Sequence, residues 1–117
     1  MLKIEYFLVV LLFSCILSCE QPPPPDDPTE ITMENFQFNP QVFTAKAGEI
    51  VTWVHRQPGI LHTVTSDDGR LFDSRGNDPN RRMREGDEFE FLFEAGSYPY
   101  RCVVHGVNMT GTIEVIE

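Results

Sequence analysis

From Thr29 onward the chain is built of short runs in which apolar and polar residues alternate. Alternation with a period of two places every second side chain on one face of a strand. Ile31, Met33, Phe36 and Phe38 mark a first strand, irregular near Asn35, where the alternation breaks. Asn39-Pro40 is a turn. Residues 42–45 form a second strand, ended by Ala47-Gly48-Glu49. Residues 50–54, Ile-Val-Thr-Trp-Val, form a β-branched and aromatic third strand, with Trp53 in the core. Gln57-Pro58-Gly59-Ile60 is a loop leading into another strand at 62–65. Ser66-Asp-Asp-Gly69 is a turn, and residues 71–74, Leu-Phe-Asp-Ser, are a short apolar element. Residues 88–93 alternate and then turn wholly apolar, which makes them a strand whose aromatic stripe is core. In residues 96–102 the alternation puts Tyr98, Tyr100 and Cys102 on one inward face. Residues 110–115 close the sheet, with Ile113 and Val115 inward. No segment has the period of a helix of any length. Seven to eight short strands separated by turns predict an all-β sandwich.

The segment 75–86 does not fit this pattern. It is polar and rich in turn formers, and it predicts a long exposed loop. Arg81, Arg82 and Arg84 make it a basic patch, expected to pair with nearby carboxylates, with a docking role as the sharper alternative.

The N-terminal part reads differently again. Residues 6–17 are almost wholly apolar, the length of a signal-peptide core and too short for a membrane span. Ile16-Leu17-Ser18-Cys19 resembles a bacterial lipobox, and Leu12-Phe-Ser14-Cys15 does so less well. Residues 1–18 are therefore expected to be a lipoprotein-type signal peptide, with cleavage before Cys19 and lipid on that cysteine. Residues 19–29 carry four consecutive prolines and several carboxylates, a stiff and solvated tether. Residues 30–117 are then the folded domain, lipid-anchored in the periplasm or cell envelope.

The 117 residues suffice for one domain. Nine Lys and Arg stand against eighteen Asp and Glu, a net charge of −9. That excess argues against nucleic acid, whose phosphates are bound by clustered cations. It suits a soluble surface or attraction toward basic partners. Of three cysteines, only Cys102 lies within the folded part, so no internal disulfide is expected there.

The chemistry concentrates near the C-terminus. Cys102, His105 and Met109 place a thiol, an imidazole and a thioether within eight residues. Soft sulfur combined with nitrogen suits copper, and zinc rarely takes methionine. Two histidines and a cysteine with a long axial methionine make up an electron-transfer copper site. The second histidine must come from elsewhere, and His62 in Leu61-His62-Thr63-Val64 is the candidate. The third, His55, reads as a loop histidine near the site and not as a ligand.

The ordered motifs Cys102-x2-His105-x3-Met109, Gly96-x-Tyr98-x-Tyr100 and Gly111-x-Ile113-x-Val115 resemble the copper loop of cupredoxins. These are the small blue copper proteins of the plastocyanin, pseudoazurin and amicyanin type. Phe36-x-Phe38-x-Pro40, Val42, Gly48, Val51-x-Trp53 and His62-Thr-Val64 match the earlier family pattern in order. The resemblance implies a Greek-key sandwich and one type 1 copper. It implies imidazole ligation by His62 and His105, thiolate ligation by Cys102 and axial ligation by Met109. It further implies a monomeric one-electron carrier that meets a redox donor and an acceptor through an apolar patch at Gly106 and Val107. Thr63 stands where plastocyanin-like proteins often have Asn, and its hydroxyl is expected to tie the ligand loops together. Copper storage or delivery is the alternative. Catalysis is not expected, because multicopper enzymes need further histidine-rich sites and this chain has three histidines in all.

Overall fold

The computed structural model describes residues 29–117. The expected signal peptide, Cys15, Cys19 and the proline run lie outside these residues. Eight strands follow in order: β1 (Glu30–Glu34), β2 (Gln37–Asn39), β3 (Val42–Lys46), β4 (Ile50–His55), β5 (Thr65–Ser66), β6 (Glu88–Leu92), β7 (Gly96–Cys102) and β8 (Gly106–Ile116). They form two four-stranded sheets, β2-β1-β4-β6 and β3-β8-β7-β5. The contacts β1–β4 and β3–β8 are parallel and the others antiparallel. No helix occurs among the described residues. The expected all-β sandwich is therefore the fold, with the upper of the two strand counts.

The alternation read from the chain points inward as expected. Ile31, Met33, Val51 and Trp53 from one sheet meet Tyr100, Cys102, Met109 and Ile113 from the other, all buried. Trp53 sits among Phe72, Phe89, Phe93 and Tyr100, with ring centroids 5.5 to 6.2 Å away. Each large side chain so buried contributes roughly 1.5–3 kcal/mol of transfer free energy. This aromatic centre is what holds the two sheets face to face.

Three local expectations are corrected. The first strand is in fact a hairpin. Glu34 pairs with Gln37, leaving Asn35 and Phe36 as a two-residue turn, both at positive φ (54° and 59°). That is the conformation of a type I′ turn, which normally places glycine second. Phe36 there costs roughly 1–2 kcal/mol of backbone energy. The strand expected at 62–65 is shorter, with β5 confined to Thr65–Ser66. His62 instead makes an isolated bridge with Met83, His62 N–H to the Met83 carbonyl at 3.2 Å and the reverse bond at 2.8 Å. Buried Met83 thus pins the long loop to the segment that carries His62. Finally, Arg81, Arg82 and Arg84 of that loop do not pair with carboxylates among the described residues. Ion pairs join Arg56 to Glu30 and Arg75 to Asp73, while Arg81, Arg82 and Arg84 make none among the described residues. Arg82 instead donates to the carbonyls of Pro79 and Arg81.

Because β1 and β4 run parallel, their C-terminal ends lie side by side, Met33 opposite His55. The turn after β1 and the loop after β4 therefore emerge at the same end of the sandwich.

Candidate metal centre

Cys102 is the last residue of β7 and pairs with Gly106, the first of β8. The segment between them is a three-residue turn, Val103-Val104-His105, tight enough to swing the His105 ring back toward Cys102. Cys102 Sγ lies 3.5 Å from His105 Nδ1 and 3.8 Å from His62 Nδ1. One donor atom from each of the three residues falls within 4.8 Å of the others. Taking zinc bond lengths as a guide, about 2.3 Å to sulfur and about 2.0 Å to nitrogen, two such donors set 120° apart lie roughly 3.7 Å from each other. The observed spacings match that value, so these side chains fit one small transition-metal ion. Met109 lies on β8, 1 % exposed, in the same core cluster as Cys102.

The surroundings hold the donors still. Cys102 and His62 are fully buried. The Thr63 N–H donates to Cys102 Sγ at 3.3 Å, which stabilises negative charge on sulfur. The Thr63 hydroxyl accepts the Val103 N–H at 2.9 Å. One residue therefore ties the His62 segment to the Cys102 turn, as expected of Thr63. Burial pushes the His62 pKa down from 6.5 to about 4, with the nearby His55 and His105 adding to the shift. At neutral pH its imidazole is uncharged and keeps a free lone pair.

His55 corrects its expected place. It ends β4, is 1 % exposed, and lies tilted against the His62 ring with ring centroids 4.7 Å apart. The alternation Val51, Trp53, His55 already pointed it inward. Its two nitrogens are engaged elsewhere, Nε2 with the Ile60 carbonyl at 2.8 Å and Nδ1 with the Gln57 N–H at 3.1 Å. It is a buried neighbour of the site and not a fourth donor. Two further residues at the site were not read as part of it from the sequence, although Phe36 belongs to the family pattern. Gln57 Oε1 lies 2.9 Å from His62 Nε2, and the Phe36 ring stands edge-on to His105 at 5.0 Å and to His62 at 6.1 Å.

A cysteine sulfur and two imidazoles gathered at one end of a two-sheet β-sandwich define a small copper protein of the cupredoxin class. Residues 26–116 match the family of copper binding proteins described as plastocyanin/azurin, and the chain belongs to that family. It is 35% identical over 86 residues to a plastocyanin from Scenedesmus fuscus, covering 67% of this chain and 85% of that protein. Among solved structures it resembles a purple cupredoxin from Nitrosopumilus maritimus, with a TM-score of 0.63 and 26% identity over 74% of this chain and 98% of that one. It also resembles amicyanin from Paracoccus versutus, with a TM-score of 0.61 and 28% identity over 78% and 83% of the two chains. The cofactor is copper in a type 1 site, and the general activity is copper-based electron transfer.

Proposed function

We propose that this chain is a membrane-tethered, extracytoplasmic one-electron carrier that acts as a monomer between a redox donor and an acceptor. In this reading His62 Nδ1, His105 Nδ1, Cys102 Sγ and the Met109 thioether would hold the copper. The observation that carries it is the clustering of three donors already locked together by Thr63. Bound copper supplies the one-electron couple between Cu(II) and Cu(I). Donors held in place in this way would need little rearrangement between the two oxidation states. Burial of Cys102 and His62 argues against an exchangeable delivery site, which needs exposed donors. All three histidines already gather here, which leaves none for a second, catalytic copper cluster.

Partners are proposed to dock on the apolar rim at the metal end. Val107 is 86% exposed, and Val104, Leu61 and Phe36 are exposed beside the ligands or next to them in sequence. Addition of Cu(II) to the purified domain is expected to give an intense thiolate-to-copper band in the visible. The band should vanish on reduction and return on oxidation. In Val107→Asp the band should be unchanged while electron exchange with a partner slows about tenfold, since a charge on the rim must be desolvated on docking. Copper binding without the band would replace the carrier reading with storage or delivery.

The tether is proposed from the lipobox-like segment alone. Mass spectrometry of detergent-extracted protein is expected to find a diacylglyceryl group on Cys19. A free, unmodified N-terminus would remove the membrane anchor from this account.

A further inference from the structure

Gln57 sits where three independent elements meet: the hairpin turn of the first sheet, the end of β4 and the segment that bears His62. Its amide oxygen is 3.0 Å from the Phe36 N–H and 2.9 Å from His62 Nε2. A backbone N–H can only donate, so the atom facing Phe36 must be the amide oxygen and not the amide nitrogen. That oxygen can only accept, so His62 Nε2 must carry a proton. A neutral imidazole holds one proton, which leaves Nδ1 as the bare nitrogen. Nδ1 is the atom that faces Cys102 Sγ.

Gln57 is itself oriented in the same manner. Its own N–H donates to His55 Nδ1 at 3.1 Å. That bond requires a bare Nδ1 on His55 and leaves the proton on Nε2, which donates to the Ile60 carbonyl at 2.8 Å. Every bond in this set then has one donor and one acceptor, with no conflict. The starting point is a phenylalanine held at φ 59°, a backbone conformation normally given to glycine. Strained backbone kept at a site is a reason to look for what the strain achieves. Here it aims one N–H at Gln57 and stands the ring against both candidate ligands.

We infer that the turn at Asn35 and Phe36, acting through the Gln57 side chain, sets the tautomer of His62 and so presents its Nδ1 to the metal. Gln57 is a positioning residue. The inference rests on the proposed ligand assignment, but its first test needs no copper.

Imidazole nitrogens can be read by long-range proton–nitrogen NMR on the uniformly labelled, copper-free protein at neutral pH. His62 in the native protein is expected as the Nε2–H form. Gln57→Leu removes the acceptor, and His62 should then show a mixture of both tautomers. Gln57→Glu restores an acceptor oxygen and should restore the native form. Copper(II) titration of the same three proteins is expected to show affinity lowered about 10- to 100-fold in Gln57→Leu and close to native in Gln57→Glu. An Nδ1–H tautomer in the native protein overturns the inference whatever the variants do. So does a Gln57→Leu protein with an unchanged tautomer, or one whose tautomer changes with no loss of affinity. A native protein that shows the Nε2–H form, with Gln57→Leu a mixture, but binds no copper would leave the tautomer control standing. It would remove the copper-carrier reading instead.

Discussion

Cys102→Ser is expected to abolish the visible thiolate-to-copper band completely while leaving the domain folded. The fold survives because the hydroxyl is smaller than the thiol and still accepts from the Thr63 N–H that now meets Cys102 Sγ at 3.3 Å. The cost of burying it is about 1–3 kcal/mol, less than the stability of an ordinary domain. The chemistry does not survive, because soft thiolate is the ligand that favours Cu(I), and a serine oxygen is hard. Cu(I) affinity should therefore fall by far more than Cu(II) affinity, and the reduction potential should drop. Competition with a chromophoric Cu(I) chelator measures the first, and the visible spectrum measures the band itself. An intense band that persists in the folded variant would mean that another group supplies the sulfur. Cys102 is the one cysteine among the described residues.

Gly111→Ala should destabilise the domain by about 3 kcal/mol, roughly a hundredfold in the folding equilibrium. Gly111 faces Tyr100 across the β7–β8 pair. A Cβ on Gly111 would lie 2.6 Å from both the ring carbon Cζ and the hydroxyl oxygen of Tyr100. Tyr100 cannot swing aside, since it is fully buried between Phe38, at 4.5 Å, and Trp53, at 5.5 Å. The backbone must yield instead, and Tyr100 lies two residues before Cys102 on the same strand. A shifted visible band is expected to accompany the loss of stability. Gly48→Ala is the control. Its Cβ would meet nothing within 4 Å, and only its positive φ of 90° opposes the change. The denaturation midpoints of the two variants decide the matter, and a Gly111→Ala protein within about 0.5 kcal/mol of native would contradict the packing argument.

The aromatic centre behind the site shows how far local pattern reaches. Tyr100 and Ile113 are inward in the structure because they alternate with polar residues in the chain, and Trp53 and Phe93 because they keep the period-two face of Val51 and of Phe89 and Phe91. That pattern is a property of each strand alone. The same rule, carried one step past Trp53, points His55 into the core. The reading as a loop histidine failed because the strand was stopped one residue early. The hairpin at Asn35 failed for another reason. Phe36 has no turn propensity, and the turn conformation there is imposed by neighbours distant in sequence, Gln57 and the two histidines.

The donor set was legible because copper chemistry restricts which residue types can serve, and Cys102, His105 and Met109 crowd within eight residues. The role of Thr63 followed from the family resemblance, since it stands where plastocyanin-like proteins often carry the Asn that ties the ligand loops together. The chain by itself thus determined the class of fold, the inward faces and which side chains are the candidate donors. These depend on period-two alternation and on the residue types themselves. Tertiary structure alone decided that Met83 pins the long loop to His62, that Arg81, Arg82 and Arg84 make no ion pair among the described residues and that Gln57 faces both Phe36 and His62. Those facts depend on which loops share one end of the sandwich, and that is set by the parallel pairing of β1 with β4, a contact between strands about twenty residues apart that no local pattern encodes.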